Sequence, residues 1–90
     1  MPYIPQDQRP VLDDLLYPIY EHITALPLEE QDGALNYAVT KLLKSIYPEK
    51  YFHLNRAMGV LSSIKMEFYR RSVATYEDKK ISENGDVKKN

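Results

Sequence analysis

Apolar residues recur along this chain at the three-to-four-residue spacing of amphipathic α-helices, and this periodicity constrains the fold more than any other feature. There are three such stripes, with expected breaks near residues 24–28 and 47–53. The last and longest stripe runs roughly from His53 to Tyr76. Because 90 residues form one domain at most, the pattern predicts an all-α fold, a small three-helix bundle with a long C-terminal helix.

Polar residues and prolines set the expected starts of the first two helices. We expect Asp7 to cap the first helix, with Pro10 tolerated in its opening turn. Pro18 lies inside the apolar pattern and should kink or break this helix, because proline lacks a backbone donor. The second helix is either capped by Asp32 or begins a turn earlier at Pro27.

The apolar pattern ends after Tyr76. Residues 77–90 keep only Ile81 and Val87 as large apolar residues, and eight of the fourteen are charged. We therefore expect a single helical domain over residues 1–76, followed by a charged, flexible tail. The sequence leaves open whether the third helix continues for one further turn at the start of this tail.

Composition indicates the cellular setting. Cysteine is absent, which excludes disulfides and thiolate metal ligands and fits a reducing cytoplasm. No apolar run approaches the roughly 20 residues of a membrane span. Residues 1–5 lack the basic and apolar segments of a signal peptide. We expect a soluble, cytoplasmic protein that does not associate with membranes.

Charge is segregated along the chain. Residues 1–32 carry seven acids and one base, residues 33–76 seven bases and two acids, and residues 77–90 four of each. Either the acidic first helix lies against or beside the basic part, within one subunit or across two, or the basic part faces an anionic partner. Since the whole chain has a net charge of only −1, a small anionic nucleotide fits better than an extended nucleic acid.

The candidate site lies near the end of the third helix. Guanidinium groups bind phosphate bidentately and tyrosine rings stack on bases, so this combination suits a nucleotide. The residues assigned to ligand binding are Tyr69, Arg70, Arg71, Tyr76, Arg56 and Lys65. Because adjacent helical residues point about 100° apart, Arg70 and Arg71 should need a second subunit to form one pocket. The alternative is that Glu67 pairs with Arg71 and the rest of this face is solvated.

Oligomerisation is expected for a second reason. A chain this short gains little net stability from its own core. The long third helix also outreaches the helix that would pair with it. The simplest assembly is a two-fold dimer, with nucleotide binding coupled to it.

Acidic residues offer a weaker, catalytic alternative. Glu29 and Asp32 form an E-x-x-D pattern, one of the two helical motifs with which nucleotide pyrophosphohydrolases of the MazG type bind Mg²⁺. In the segment beginning at Glu67, Arg70 stands where the second motif needs an acid. We expect the acids of the second helix to serve its positive N-terminal end instead.

Other catalytic groupings are not indicated. His22 and His53 are far apart and have no nearby acid or nucleophile pattern. Ser62 and Ser63 adjoin no plausible base. We therefore predict a protein that is not an enzyme and has no catalytic residues, no metal site and no cofactor.

Two resemblances add to this interpretation. Residues 28–37 and 65–86, with the Met-Pro-Tyr-Ile start, resemble a family of uncharacterised phage and bacterial proteins of about this length, which implies no activity. The run from Tyr69 through Val73 to an acidic–basic tail is similar to small helical phage proteins that sequester cyclic nucleotide signals, the anti-CBASS sponges. The second resemblance implies non-catalytic capture of a phosphate-bearing nucleotide at a subunit interface. A protein–protein interaction or structural module without a small ligand is the alternative.

Overall fold

A computed structural model describes residues 3–88 of the chain. The chain divides into two compact units, Met1–Glu49 and Lys50–Asn90, and each is described by itself. Among the described residues there are helices and no strands. The predicted all-α fold class is confirmed.

The first unit is a helical hairpin. A short 3₁₀ turn, Gln6–Gln8, leads into α1, Arg9–Thr24, and α2 spans Leu28–Ile46. The connection between α1 and α2 falls within the predicted break. The side-chain amide of Gln31 donates to the Leu26 carbonyl at 3.1 Å and ties the connection to α2.

The start of α1 differs from the prediction. Asp7 does not cap the helix, because it lies inside the 3₁₀ turn and Gln8 occupies the N-cap position. The entry is held instead by Arg9, whose Nε donates to the Ile4 carbonyl at 3.0 Å. Pro10 lies in the first turn of α1, as expected.

Pro18 does not break α1, which continues through it to Thr24. The proline ring removes one backbone donor and leaves the Asp14 carbonyl without its usual helical partner. Both residues are exposed, so water can solvate that carbonyl, which makes the interruption tolerable.

For α2, the earlier of the two predicted starts is correct. Pro27 is the N-cap, and Glu29 and Glu30 lie in the first turn, near the positive end of the helix dipole. The helix ends where Tyr47 adopts an extended backbone, with φ −105° and ψ 118°. The residue before a proline favours this conformation, and Pro48 follows.

The second unit is a single long helix with one irregular turn. It consists of α3, Tyr51–Phe68, a π-helical turn, Tyr69–Val73, and α4, Ala74–Asn84. The helix starts two residues before the predicted His53. It ends at Gly85, whose φ of 87° lies where side chains other than glycine are strained.

Helix α4 covers much of the segment expected to be a tail. Residues 77–84 are helical, which is more than the single further turn left open by the sequence. The expected domain boundary at residue 76 therefore falls inside α4 and inside the second unit.

Very little of the chain is buried. Among the described residues only Ala57 is classed as buried, at 8% exposure, and large apolar side chains lie open on every helix. No helix within the described range has the length and apolar character needed to cross a bilayer. The helices therefore expose most of their apolar faces.

Candidate functional site

Arg70 and Arg71 converge on one carboxylate. Arg71 donates from Nε to Oε2 of Glu67 at 2.7 Å. Arg70 donates from Nη2 to both oxygens of the same group, at 3.1 and 3.3 Å. The predicted pairing of Glu67 with Arg71 is confirmed, and Arg70 joins it.

This convergence bears on the expectation that Arg70 and Arg71 need a second subunit to form one pocket. Although Arg70 and Arg71 leave the backbone in different directions, they lie three and four residues after Glu67. Both of these spacings place a side chain next to the starting residue on a helix surface. Two flexible guanidinium groups can therefore meet at one negative group without a second subunit.

The arginine pair alters the titration of Glu67. The pKa of the Glu67 carboxyl is lowered, first by the hydrogen bond from Arg71 and then by the one from Arg70. Slight desolvation opposes this effect, and the charges of both arginines add to it. The site therefore favours a negative group at this position.

The arginines lie in the π-helical turn. The backbone N–H of Ala74 donates to the Tyr69 carbonyl, five residues back. The Thr75 hydroxyl also reaches back, donating to the Arg70 carbonyl at 3.4 Å. Single π turns occur often at functional sites, and this one carries three of the residues assigned to ligand binding.

A shallow apolar hollow lies on the same stretch of the long helix. It has a volume of about 480 Å³ and is lined by Lys65, Met66, Phe68, Tyr69 and Val73. Neither arginine lines it, and at about 100° per residue Tyr69 lies on a different side of the helix from Glu67. Within one chain the hollow therefore groups Lys65 with Tyr69, whose hydroxyl donates to Oε1 of Glu77 at 3.4 Å, but not with the arginines.

The other two predicted residues have partners of their own. Tyr76 carries the Lys80 ammonium group 5.5 Å from its ring centroid. Arg56 donates to Nδ1 of His53 at 3.1 Å and lies over the Phe52 ring. Arg56 is about 21 Å along the helix from Arg70, at 1.5 Å per residue. Within one chain it does not belong to the arginine cluster.

Within residues 3–88 there is no group of three or more histidine, aspartate or glutamate side chains placed to hold a metal ion. Glu29 and Glu30 lie in the first turn of α2.

Comparison with known proteins places the chain in a family. A family model described as Domain of unknown function (DUF6899) matches residues 1–87. The chain belongs to the DUF6899 family. No curated protein and no solved structure matches this DUF6899 protein.

Sequence reasoning missed three features of the site in this DUF6899 protein. It did not predict the π turn, because no residue type marks one reliably. It also did not include Met66, Phe68 and Val73 among the site residues, although their spacing around Tyr69 could have suggested a shared surface. Glu67 was noted as a partner of Arg71 but not as the meeting point of both arginines.

Proposed function

We propose that this DUF6899 protein is a non-catalytic binding protein that captures a small phosphate-bearing nucleotide at a subunit interface. A cyclic nucleotide, of the kind sequestered by phage sponge proteins, is the favoured ligand, and the cytoplasm is the favoured setting. The observation that carries the proposal is the convergence of Arg70 and Arg71 on one anionic group.

In this proposal a phosphate takes the position of the Glu67 carboxylate. Arginine presents five donors in a planar fork that matches phosphate oxygens. The Arg70 and Arg71 side chains are 66% and 59% exposed, so a ligand can approach without moving the backbone. A second subunit would close the outer side of this phosphate site.

Glu67 then acts as an internal competitor. Its carboxylate holds the two guanidinium groups together while the site is empty, which lowers the cost of ordering them. The same carboxylate must give way to the phosphate, which limits affinity.

Isothermal titration calorimetry with cyclic dinucleotides, cyclic trinucleotides and nucleoside triphosphates tests this function. Arg70→Ala and Arg71→Ala should each weaken binding about tenfold or more, as expected for a lost charge-assisted hydrogen bond. Glu67→Gln should tighten binding, because it removes the competing charge. Lys79→Ala, a loss of one base on α4, is the matched control and should bind as the wild type does.

The outcome can reject the proposal in two ways. Wild-type protein that binds none of these nucleotides rejects it outright. Equal affinities for the wild type and both arginine variants reject the assigned site. Repeating the titrations with Mg²⁺ and measuring pyrophosphate release tests the pyrophosphohydrolase alternative.

An interaction module without a small ligand is the second candidate. It is favoured by the exposed apolar residues of α1, where Val11 and Leu15 are 67% and 64% exposed. Such a surface suits a helix or groove of another protein. Failure of every nucleotide to bind would favour this function.

A further inference from the structure

The long helix carries an apolar seam, of which Phe68 also lines the hollow described above. The seam consists of residues spaced alternately three and four apart: Leu54, Ala57, Leu61, Ile64 and Phe68. This spacing averages 3.5 residues, the repeat with which one helix packs along another. Leu54, Ile64 and Phe68 are 49%, 55% and 64% exposed, whereas Ala57 is buried and Leu61 half-buried, so the seam lies open toward both of its ends.

The π turn extends the seam. Without it, the repeat would place Arg71 and Thr75 next, and both are polar. A π turn adds one residue to a helical turn, which shifts those positions to Ser72 and Tyr76. The irregular turn therefore keeps Arg71 away from the seam and adds an aromatic ring to it.

The seam is longer than either helix of the first unit. From Leu54 to Tyr76 it spans about 33 Å at 1.5 Å per residue. The 16 residues of α1 and the 19 residues of α2 span about 24 and 29 Å on the same scale. A second copy of the long helix matches the seam along its whole length.

We propose that the seam pairs with the seam of a second copy of this chain, in antiparallel orientation. The segment Tyr51–Met66 carries the bases Arg56 and Lys65 and no acid, whereas α4 carries three acids and two bases. Antiparallel pairing places the basic end of one helix beside the more acidic end of the other. Parallel pairing would place like ends together.

The exposed area agrees with what a dimer needs. The open parts of Leu54, Ile64, Phe68 and Tyr76 amount to on the order of 500 Å² per copy. Flanking residues such as Met58, which is 61% exposed, bring this toward the roughly 800 Å² per partner of a stable interface. The inference stands independently of nucleotide binding, since no seam residue needs a ligand.

Sedimentation equilibrium with a matched pair of variants tests the pairing. Ile64→Glu places a charge on the seam and should weaken the dimer about tenfold or more, because a buried unpaired carboxylate is costly. Ser62→Glu places the same charge at an exposed residue of α3 that lies off the seam and outside the hollow, and it should leave the dimer intact. A wild-type monomer at high micromolar concentration, or equal behaviour of the two variants, overturns the proposal.

Spin-label distances give a second test that does not require Ile64→Glu to fold. The chain has no cysteine, so one introduced cysteine per chain carries the only label. In an antiparallel dimer centred near residue 65, labels at Asn55→Cys lie about 30 Å apart along the helix axis. Labels at Met66→Cys lie at nearly the same height along the axis, on the outer sides of the two helices, so they are separated mainly across the pair. Similar distances at the two positions would show parallel pairing, and absence of any inter-chain distance would show that the seam does not pair; either result contradicts the proposal.

Discussion

At the scale of single residues, Glu67 holds Arg70 and Arg71 together. Its carboxylate pairs with both, at spacings that bring each guanidinium group back over the preceding turn. Of the other two bases in the predicted site, Arg56 pairs with His53 and Lys65 lines the hollow. A single acid in a basic segment therefore organises the candidate site.

The first prediction concerns the titration of Glu67. Because folding lowers its pKa, the pairing with the arginines stabilises the fold above the ordinary glutamate pKa. That contribution is lost as the pH falls through the lowered pKa. Carbon-detected NMR of the side-chain carboxyl should show a midpoint below the ordinary range.

Arginine variants test the cause of that shift. Arg71→Gln should raise the Glu67 pKa more than Arg70→Gln does, because the hydrogen bond from Arg71 is the larger cause. Lys79→Gln is the charge-matched control and should leave the midpoint unchanged. A wild-type midpoint in the ordinary glutamate range would show that the arginines do not hold the carboxylate in solution.

The second prediction compares two glycines of the long helix. Gly59 lies within α3, and a Cβ added there meets no atom within 4 Å. Gly59→Ala should raise the free energy of unfolding by about 1 kcal/mol. Gly85 has φ 87°, so Gly85→Ala should lower it by about 1 kcal/mol.

Urea denaturation of the two glycine variants measures both effects. Gly59 lies on the side of α3 away from the seam, so its replacement should leave self-association unchanged. Destabilisation by Gly59→Ala would indicate that another backbone packs against this position.

At the scale of elements, two helices contain a local interruption, the π turn in the long helix and Pro18 in α1. The π turn interrupts the long helix where the candidate site lies, and its extra residue changes which side chains continue the seam. In α1 the interruption is Pro18, which the helix accommodates. An amphipathic pattern predicts where the helices form but does not predict local changes in their pitch.

The third prediction compares the two prolines of α1. Pro18 lies in the helix interior, where proline is up to about 3 kcal/mol less favourable than alanine. Pro18→Ala should therefore raise the free energy of unfolding, by about 1–3 kcal/mol. Pro10 lies in the first turn, where its missing donor costs nothing, so Pro10→Ala should be nearly neutral.

Chemical denaturation followed by circular dichroism distinguishes the two proline variants. A lower stability of Pro18→Ala would mean that the ring makes contacts worth more than the lost backbone bond. Pro18 does line a groove with Ile19, His22 and Ala34 between α1 and α2, which makes this the alternative to exclude.

At the scale of the whole molecule, the helices bury few of their apolar residues. Ala57 is the one residue classed as buried among those described, and a small domain needs more burial than this to offset its loss of conformational entropy. Association between chains would supply the missing burial. The predicted opposition of the acidic first helix and the basic part stays a prediction.

The fourth prediction follows from that shortage of burial. If folding and association are coupled, the Tm should rise with protein concentration, by about 2–4 °C for each tenfold increase in a dimer of this size. Thermal unfolding followed by circular dichroism over two decades of concentration measures it. A Tm independent of concentration would show that the single chain is stable without a partner.

The sequence by itself determined the helices of this protein and most of their limits. Helix type and the breaks after Thr24 and before Tyr51 follow from local causes, the period of the apolar residues and the constraint that Pro48 places on Tyr47. The sequence also showed that basic residues and tyrosines are concentrated at the end of the third helix. These features depend on neighbours a few residues apart, which a sequence shows directly.

Only the three-dimensional structure determines which partners those residues contact and which of them lie together. The meeting of Arg70 and Arg71 at Glu67 and the hollow beside Tyr69 depend on rotamers and on the pitch of one turn. The separation of Arg56 from that cluster depends on distance along an unbroken helix. Asp7 does not cap α1, contrary to the prediction, because the chain enters this helix through a 3₁₀ turn held by Arg9. Each of these outcomes is set by a balance of small energies among competing partners, which no local pattern of residue types encodes.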